Sequence, residues 1–224
     1  MKSSRNRKIN KVRLLGVLSL ATVVLFYASG SLATIVGTAH DFSSGTNPHA
    51  VGQICEACHV PHNAKSTQVP LWRGTLSFFN PTYSVYSSNT LDATVNQPTG
   101  PTKACLSCHD NTIGRGPLQG SCFDCHATPL SVGGSGLNLE QHHPVSFRYD
   151  TALARQDGQL HDPNSTTVSS LGGKTIRQGM LYQDRMECPS CHDIHATKGD
   201  SATAPKLLLV ANNNSRLCLT CHNK

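Results

Sequence analysis

The sequence predicts a loop-dominated fold with short α-helices and too little side-chain core to hold a domain together unaided. Three observations predict it. All ten cysteines fall in five copies of one CxxCH pattern, hydrophobic residues make up only 38% and aromatics 5%, and 18 glycines and 12 prolines interrupt the rest. A globular chain of ordinary composition would carry more apolar residues and fewer turn formers.

Taken in order, the first element is a leader. Six Lys/Arg precede Leu14, an apolar run of about 15 residues reaches Ala28, and Ser31-Leu32-Ala33 is a small-residue exit, the pattern of a secretory signal peptide over residues 1–33. The run is shorter than the roughly 20 residues of a spanning helix. An uncleaved membrane anchor is the alternative, and no later stretch is apolar enough to span. The mature chain is then 34–224, one domain with no integral membrane span, exported to the cell surface or medium or held in the periplasm. All six leader cations leave with the signal, so the formal charge of +6 leaves too, and thirteen Lys/Arg face thirteen Asp/Glu. A nucleic-acid partner is therefore not expected.

The motifs are Cys55, Cys58 and His59; Cys105, Cys108 and His109; Cys122, Cys125 and His126; Cys188, Cys191 and His192; and Cys218, Cys221 and His222. Chance would give about 0.02 copies at this composition. CxxCH is the attachment pattern of a c-type haem: both thiols bond the porphyrin and the histidine binds iron. Structural zinc pairs two CxxC units without a histidine after each, and disulfides leave the five histidines unexplained. Five covalently bound haems are expected, with about 38 residues around each. As large apolar discs, stacked haems are the expected core, and the protein without them should fold poorly.

Short helices are expected around "TKACLSCH" and "RLCLTCH", the latter capped by Ser215, while "NQPTGPTK" and "VGGSGLN" read as loops and no segment alternates like a strand. The long intervals 60–104 and 127–187 should wrap cofactors or carry an interface.

An internal repeat is visible. "QICEACHVPHNA" resembles "RMECPSCHDIHA", and "KACLSCHD" resembles "SRLCLTCHN". The chain is a doubled dihaem unit, 55–126 and 188–222, with the motif at 122–126 added. Within a helical turn His59 and His62 lie on neighbouring faces, so His62 cannot reach the far side of the haem that His59 holds and should ligate another. His192 and His195 repeat the arrangement.

Seven histidines lie outside the motifs: His40, His49, His62, His142, His143, His161 and His195. Five irons need five of them. Met180 and Met186 are the only mature methionines, so His/Met ligation applies to few sites at most. Bis-histidine haems of low potential are expected.

The residues "TAHDFS", "CEACHVPHNA", "PLW", "CLSCHD", "HHPVSFRY", "ECPSCHDIH" and "RLCLTCHNK" resemble, in that order, the doubled-CxxCH multihaem c-type cytochromes, a family similar to the tetrahaem cytochromes of extracellular filaments. The resemblance implies distal ligands at His40, His62, His143 and His195. It does not supply one for the added motif, where His49 leads and His142 and His161 stand in reserve. It also implies an electron carrier that self-assembles into a filament, with His40 or His49 donating across a subunit boundary. The partners are then redox proteins and terminal extracellular acceptors. A soluble shuttle is the alternative. A reductase with one open haem comes third, since no CxxCK occurs.

Overall fold

The computed structural model describes residues 35–43, 53–64, 69–72, 82–110 and 137–224. The leader, His49 and the whole third motif, Cys122, Cys125 and His126, lie outside the described residues. Thr34–Lys224 form one unit. Its architecture is largely irregular, with four short α-helices among the described residues: α1 (Gly100–His109), α2 (Thr151–Asp157), α3 (Ile176–Gly179) and α4 (Arg216–Cys221). Among the described residues no helix is long and apolar enough to cross a membrane.

Two of these helices carry the second and fifth motifs. In α1 the prediction places a loop too far along: "GPTK" already belongs to the helix, because Pro101 fits its first turn, where a missing N–H costs nothing. In α4 Ser215 stands at the N-cap with φ 60° and makes no capping bond. Asn212 does that work instead, its Oδ1 accepting from Leu217 N at 3.2 Å. The segment His59–His62 is an isolated bridge to Trp72 followed by bends rather than helix.

The interval 127–187 holds more regular structure than its composition suggests. Strands β1 (Phe147–Arg148) and β4 (Arg185–Met186) pair antiparallel with Phe147 opposite Met186, and β2 (Thr167–Val168) pairs with β3 (Lys174–Thr175). Helix α2 is capped at both ends, by Asp150 Oδ1 accepting from Leu153 N at 3.0 Å and by Gly158 at φ 70°. A capping box of Thr175 and Gln178 starts α3.

These elements enclose a side-chain core that the composition did not predict. Phe147, Tyr149, Leu153, Val168, Leu171, Ile176, Met180, Met186, Leu209 and Val210 are all buried, Ile176 completely. The two mature methionines are part of this core. A smaller cluster joins Tyr83, Leu106 and Leu139, under the second motif.

Gly199 approaches this core beside the fourth motif, where Leu209 N donates to Cys191 O at 2.9 Å. It sits at φ 55°, and a Cβ there would lie 2.2 Å from Leu209 O and 2.8 Å from Leu171 Cδ2. Gly199→Ala should therefore lower the unfolding free energy by about 1–3 kcal/mol, read as a shift in denaturant midpoint at unchanged slope.

Candidate haem-binding centre

The first and fourth motifs are built the same way, atom for atom. Cys55 O accepts from Cys58 N and His59 N at 3.1 and 2.9 Å, and Cys188 O accepts from Cys191 N and His192 N, both at 3.2 Å. A later segment then returns to each histidine. His59 Nδ1 donates to Pro70 O at 2.7 Å and Val60 N to Leu71 O at 2.8 Å; His192 Nδ1 donates to Lys206 O and Asp193 N to Leu207 O, both at 2.8 Å. The returning leucines match in backbone as well, Leu71 at φ 53° and Leu207 at φ 57°, as do Asn63 at φ 57° and Ala196 at φ 51°, one residue past the second histidine. The repeat seen in the motifs thus extends to "PLW" and "KLLL", segments with little sequence in common.

A carbonyl can only accept, so each of these Nδ1 atoms carries the proton and each Nε2 is left with a free lone pair for a metal. His143 Nδ1 donates to Pro144 O at 2.9 Å with the same result. This is how metal-binding histidines are usually held.

The rings then meet in twos. His59 stacks with His195 at 6.3 Å between centroids and 21° between planes, His40 faces His109 at 6.1 Å, and His143 faces His222 at 6.3 Å. Two imidazoles bound at about 2.0–2.1 Å to opposite sides of one metal have centroids about 6.3 Å apart. Each pair joins one motif histidine to one histidine outside its motif, and the spacing fits a single ion between them. His40 thus lies beside His109 of its own chain.

His195 reaches His59 because Asp193 shapes the turn before it. Its carboxylate accepts from Thr197 N at 2.7 Å, Lys198 N at 2.8 Å and His195 N at 3.1 Å. Burial alone would raise this carboxyl, yet these bonds hold it below the ordinary carboxylate range.

The surroundings fit a large, flat, mostly apolar group. An apolar groove runs past His143 and His222, walled by Leu91, Phe147, Leu153, Met186 and Cys221. His40 Nδ1 and Trp72 Nε1 are buried without a hydrogen-bond partner, one beside each of two histidine pairs, as expected where a bound group with acceptor oxygens is missing from the protein's own set. The described motif cysteines, Cys55, Cys58, Cys105, Cys108, Cys188, Cys191, Cys218 and Cys221, are free. Burial pushes the Cys191 thiol up to about 11 and the Cys221 thiol to about 12, so both stay protonated at neutral pH.

Haem attachment is also expected from the sequence at Cys122 and Cys125, with iron at His126. Because Cys122, Cys125 and His126 lie outside the described residues, the structure describes the first, second, fourth and fifth of the predicted centres and not the third. His49, the leading distal candidate for that third centre, is likewise outside the described residues.

The motifs also touch one another. The Cys105 thiol hydrogen-bonds Cys188, and Cys188 N donates to Thr102 Oγ1 at 3.0 Å, which sets α1 against the fourth motif. His62 and His142 have no ring contact among those described here, and His161 is tied through its backbone, its N donating to Cys221 O at 2.8 Å and its O accepting from Tyr149 Oη at 2.6 Å. Compared with known proteins, the chain matches no family model and no curated protein.

Two phenols brace the second and fifth motifs. Tyr83 Oη donates to buried Asp110, next to His109, and Tyr149 Oη to the carbonyls around Cys221. Burial, and then these partners, push both phenols far above their ordinary value. Folded values above the unfolded value of about 10 mean a contribution complete below about pH 10 and lost as pH rises further. Denaturant midpoints should therefore hold to about pH 10 and fall above it, and Tyr83→Phe should flatten part of that fall in the same titration.

Proposed function

We propose that the chain is an exported pentahaem c-type cytochrome that carries electrons between closely spaced bis-histidine haems. The observation that carries this reading is the set of three histidine pairs at 6.1–6.3 Å, each made of one CxxCH histidine and one distant histidine. When bound, a c-type haem supplies an iron that takes up and releases one electron. The remaining work falls to the chain. Two cysteines per motif fix the group in place, and the Nδ1–carbonyl bonds at His59, His143 and His192 aim Nε2. By the symmetry of the repeat, His192 takes His62 as its partner, as His59 takes His195. The third motif, Cys122 and Cys125 with His126, draws on His49, His142 or His161.

A histidine at both positions of each pair leaves no vacancy for a substrate, which favours electron carriage over the reductase reading. The resemblance to filament cytochromes makes self-assembly the proposed form, with redox proteins and extracellular acceptors as partners. With His40 seated opposite His109, a donor across a subunit boundary would be His49. That same seating supports the soluble shuttle as the second reading, because a chain that satisfies its own irons needs no neighbour.

Mass spectrometry of the exported protein should find five covalent haem additions, and Cys125→Ser should weaken or remove only the one at the third motif. The reduced protein should show low-spin spectra that do not respond to carbon monoxide. His195→Ala should make one haem in five bind carbon monoxide. A protein without covalent haem would end the proposal. Electron microscopy separates the two forms: uniform filaments support the conduit, and monodisperse particles the shuttle.

A further inference from the structure

Glu187 is the deepest charged group in the described structure, 1% exposed, and sits immediately before Cys188 where β4 runs into the fourth motif. Every polar neighbour it has is arranged to donate. Thr102 N and Thr102 Oγ1 reach it from the first turn of α1, three residues before Cys105. Ser146 Oγ reaches Oε2 at 2.8 Å from the residue before β1, and Ser190 N closes a capping box whose other half runs from Glu187 N to Ser190 Oγ at 2.9 Å. Both hydroxyls already accept a backbone N–H elsewhere, Ser146 Oγ from Thr99 N and Thr102 Oγ1 from Cys188 N, each at 3.0 Å, so their protons are left for the carboxylate. Four donors and no dedicated acceptor describe a seat for an anion.

The charged and titratable groups acting on this seat are Arg185, on the strand that leads to it, and the thiols of Cys105 and Cys188. Burial holds the carboxyl above its ordinary range, and the bonds from Thr102 and Ser146 and the Arg185 charge offset that rise only in part. The helix bearing Cys105 packs on the turn bearing Cys188, and Cys188 N donating to Thr102 Oγ1 is a polar contact between them.

From this geometry we infer that Glu187 is a fixed buried anion shared by the second and fourth motifs, and that it lowers the reduction potentials of the two groups these motifs hold. The inference rests on the haem reading above. Its physical basis is that a negative charge in a poorly solvated site stabilises the more positive, oxidised state of whatever lies beside it. Glu187 is thus a positioning residue with an electrostatic duty, distinct from the ligands.

The test uses the full exported protein, wild type, Glu187→Gln and Ser146→Ala. Haem additions counted by mass come first: a wild type without them refutes the haem reading, and this inference with it. With haems present, redox titration is followed through haem-methyl NMR signals assigned motif by motif. Glu187→Gln keeps the shape and removes the charge, so the potentials at Cys105/Cys108 and Cys188/Cys191 should rise while that at Cys218/Cys221 stays. Read at alkaline pH, where the carboxyl stays ionised, Ser146→Ala removes a donor that offsets the charge, so the same two should fall. Loosened packing or entering water would move both variants the same way. Shifts of the same sign, or none, overturn the inference. Should Glu187→Gln fail to load, Ser146→Ala decides alone: a fall at those two motifs supports the inference, and no change or a rise overturns it.

Discussion

The arrangement depends first on a bond from a ring nitrogen to a backbone carbonyl. His59 and His192 each give their Nδ1 proton to a segment that returns 11 and 14 residues later, and everything else about the two motifs follows from that return. The bond fixes the tautomer, so Nε2 is the free atom. It also fixes the ring plane, because the same return places a ladder bond from the next residue's N–H. Both returns put a leucine at positive φ, a conformation that costs of order 1–3 kcal/mol in a non-glycine residue. That two dissimilar segments adopt it at equivalent points argues that the cost belongs to the site rather than to chance.

From those turns the organisation of the whole unit can be reasoned outward. His40 pairs with His109 ahead of the long middle interval and His143 with His222 after it begins, but His59 pairs with His195 of the other repeat. The histidine of the first motif thus faces one that belongs to the second repeat. The contact of Cys105 with Cys188, and of Thr102 with Glu187, adds a second tie between the same halves. A duplicated unit of this kind has stopped being two modules and become one, which is why a single unit spans Thr34–Lys224.

How much of this was legible in the sequence depended on which atoms carried the information. The CxxCH spacing names cysteines and histidines directly, whereas the separate role expected of His62 rested on a helical turn that residues 59–62 do not form. The helix at "ACLSCH" was visible because its motif has good helix formers. What could not be read were acceptors with no side-chain signature: the carbonyls of Pro70 and Lys206 are backbone, available at any residue. The buried seat of Glu187 was hidden for a related reason. A glutamate before a cysteine reads as surface until Ser190 and the sequence-distant Thr102 and Ser146 converge on it. The core around Ile176 was missed because its members are scattered singly between Gly, Ser and Thr, so no periodicity announces them.

The presence of that core changes what bound haems would be needed for. With so few apolar residues, the simplest expectation gives the bound groups the whole task of burial. The described structure divides it. Residues 147–186 pack Phe147, Leu153, Ile176 and Met186 into a body that can be stabilised by side chains, whereas the second motif has the smaller cluster of Tyr83, Leu106 and Leu139 beneath it. Dependence on bound haem should then be uneven, greatest around His59 and His109 and least around His222, where Tyr149 and Leu160 already hold the motif from the protein side. Order in the chain and order of assembly would differ: the later half offers a preformed wall for its group, and the earlier half gains its shape from the groups it binds.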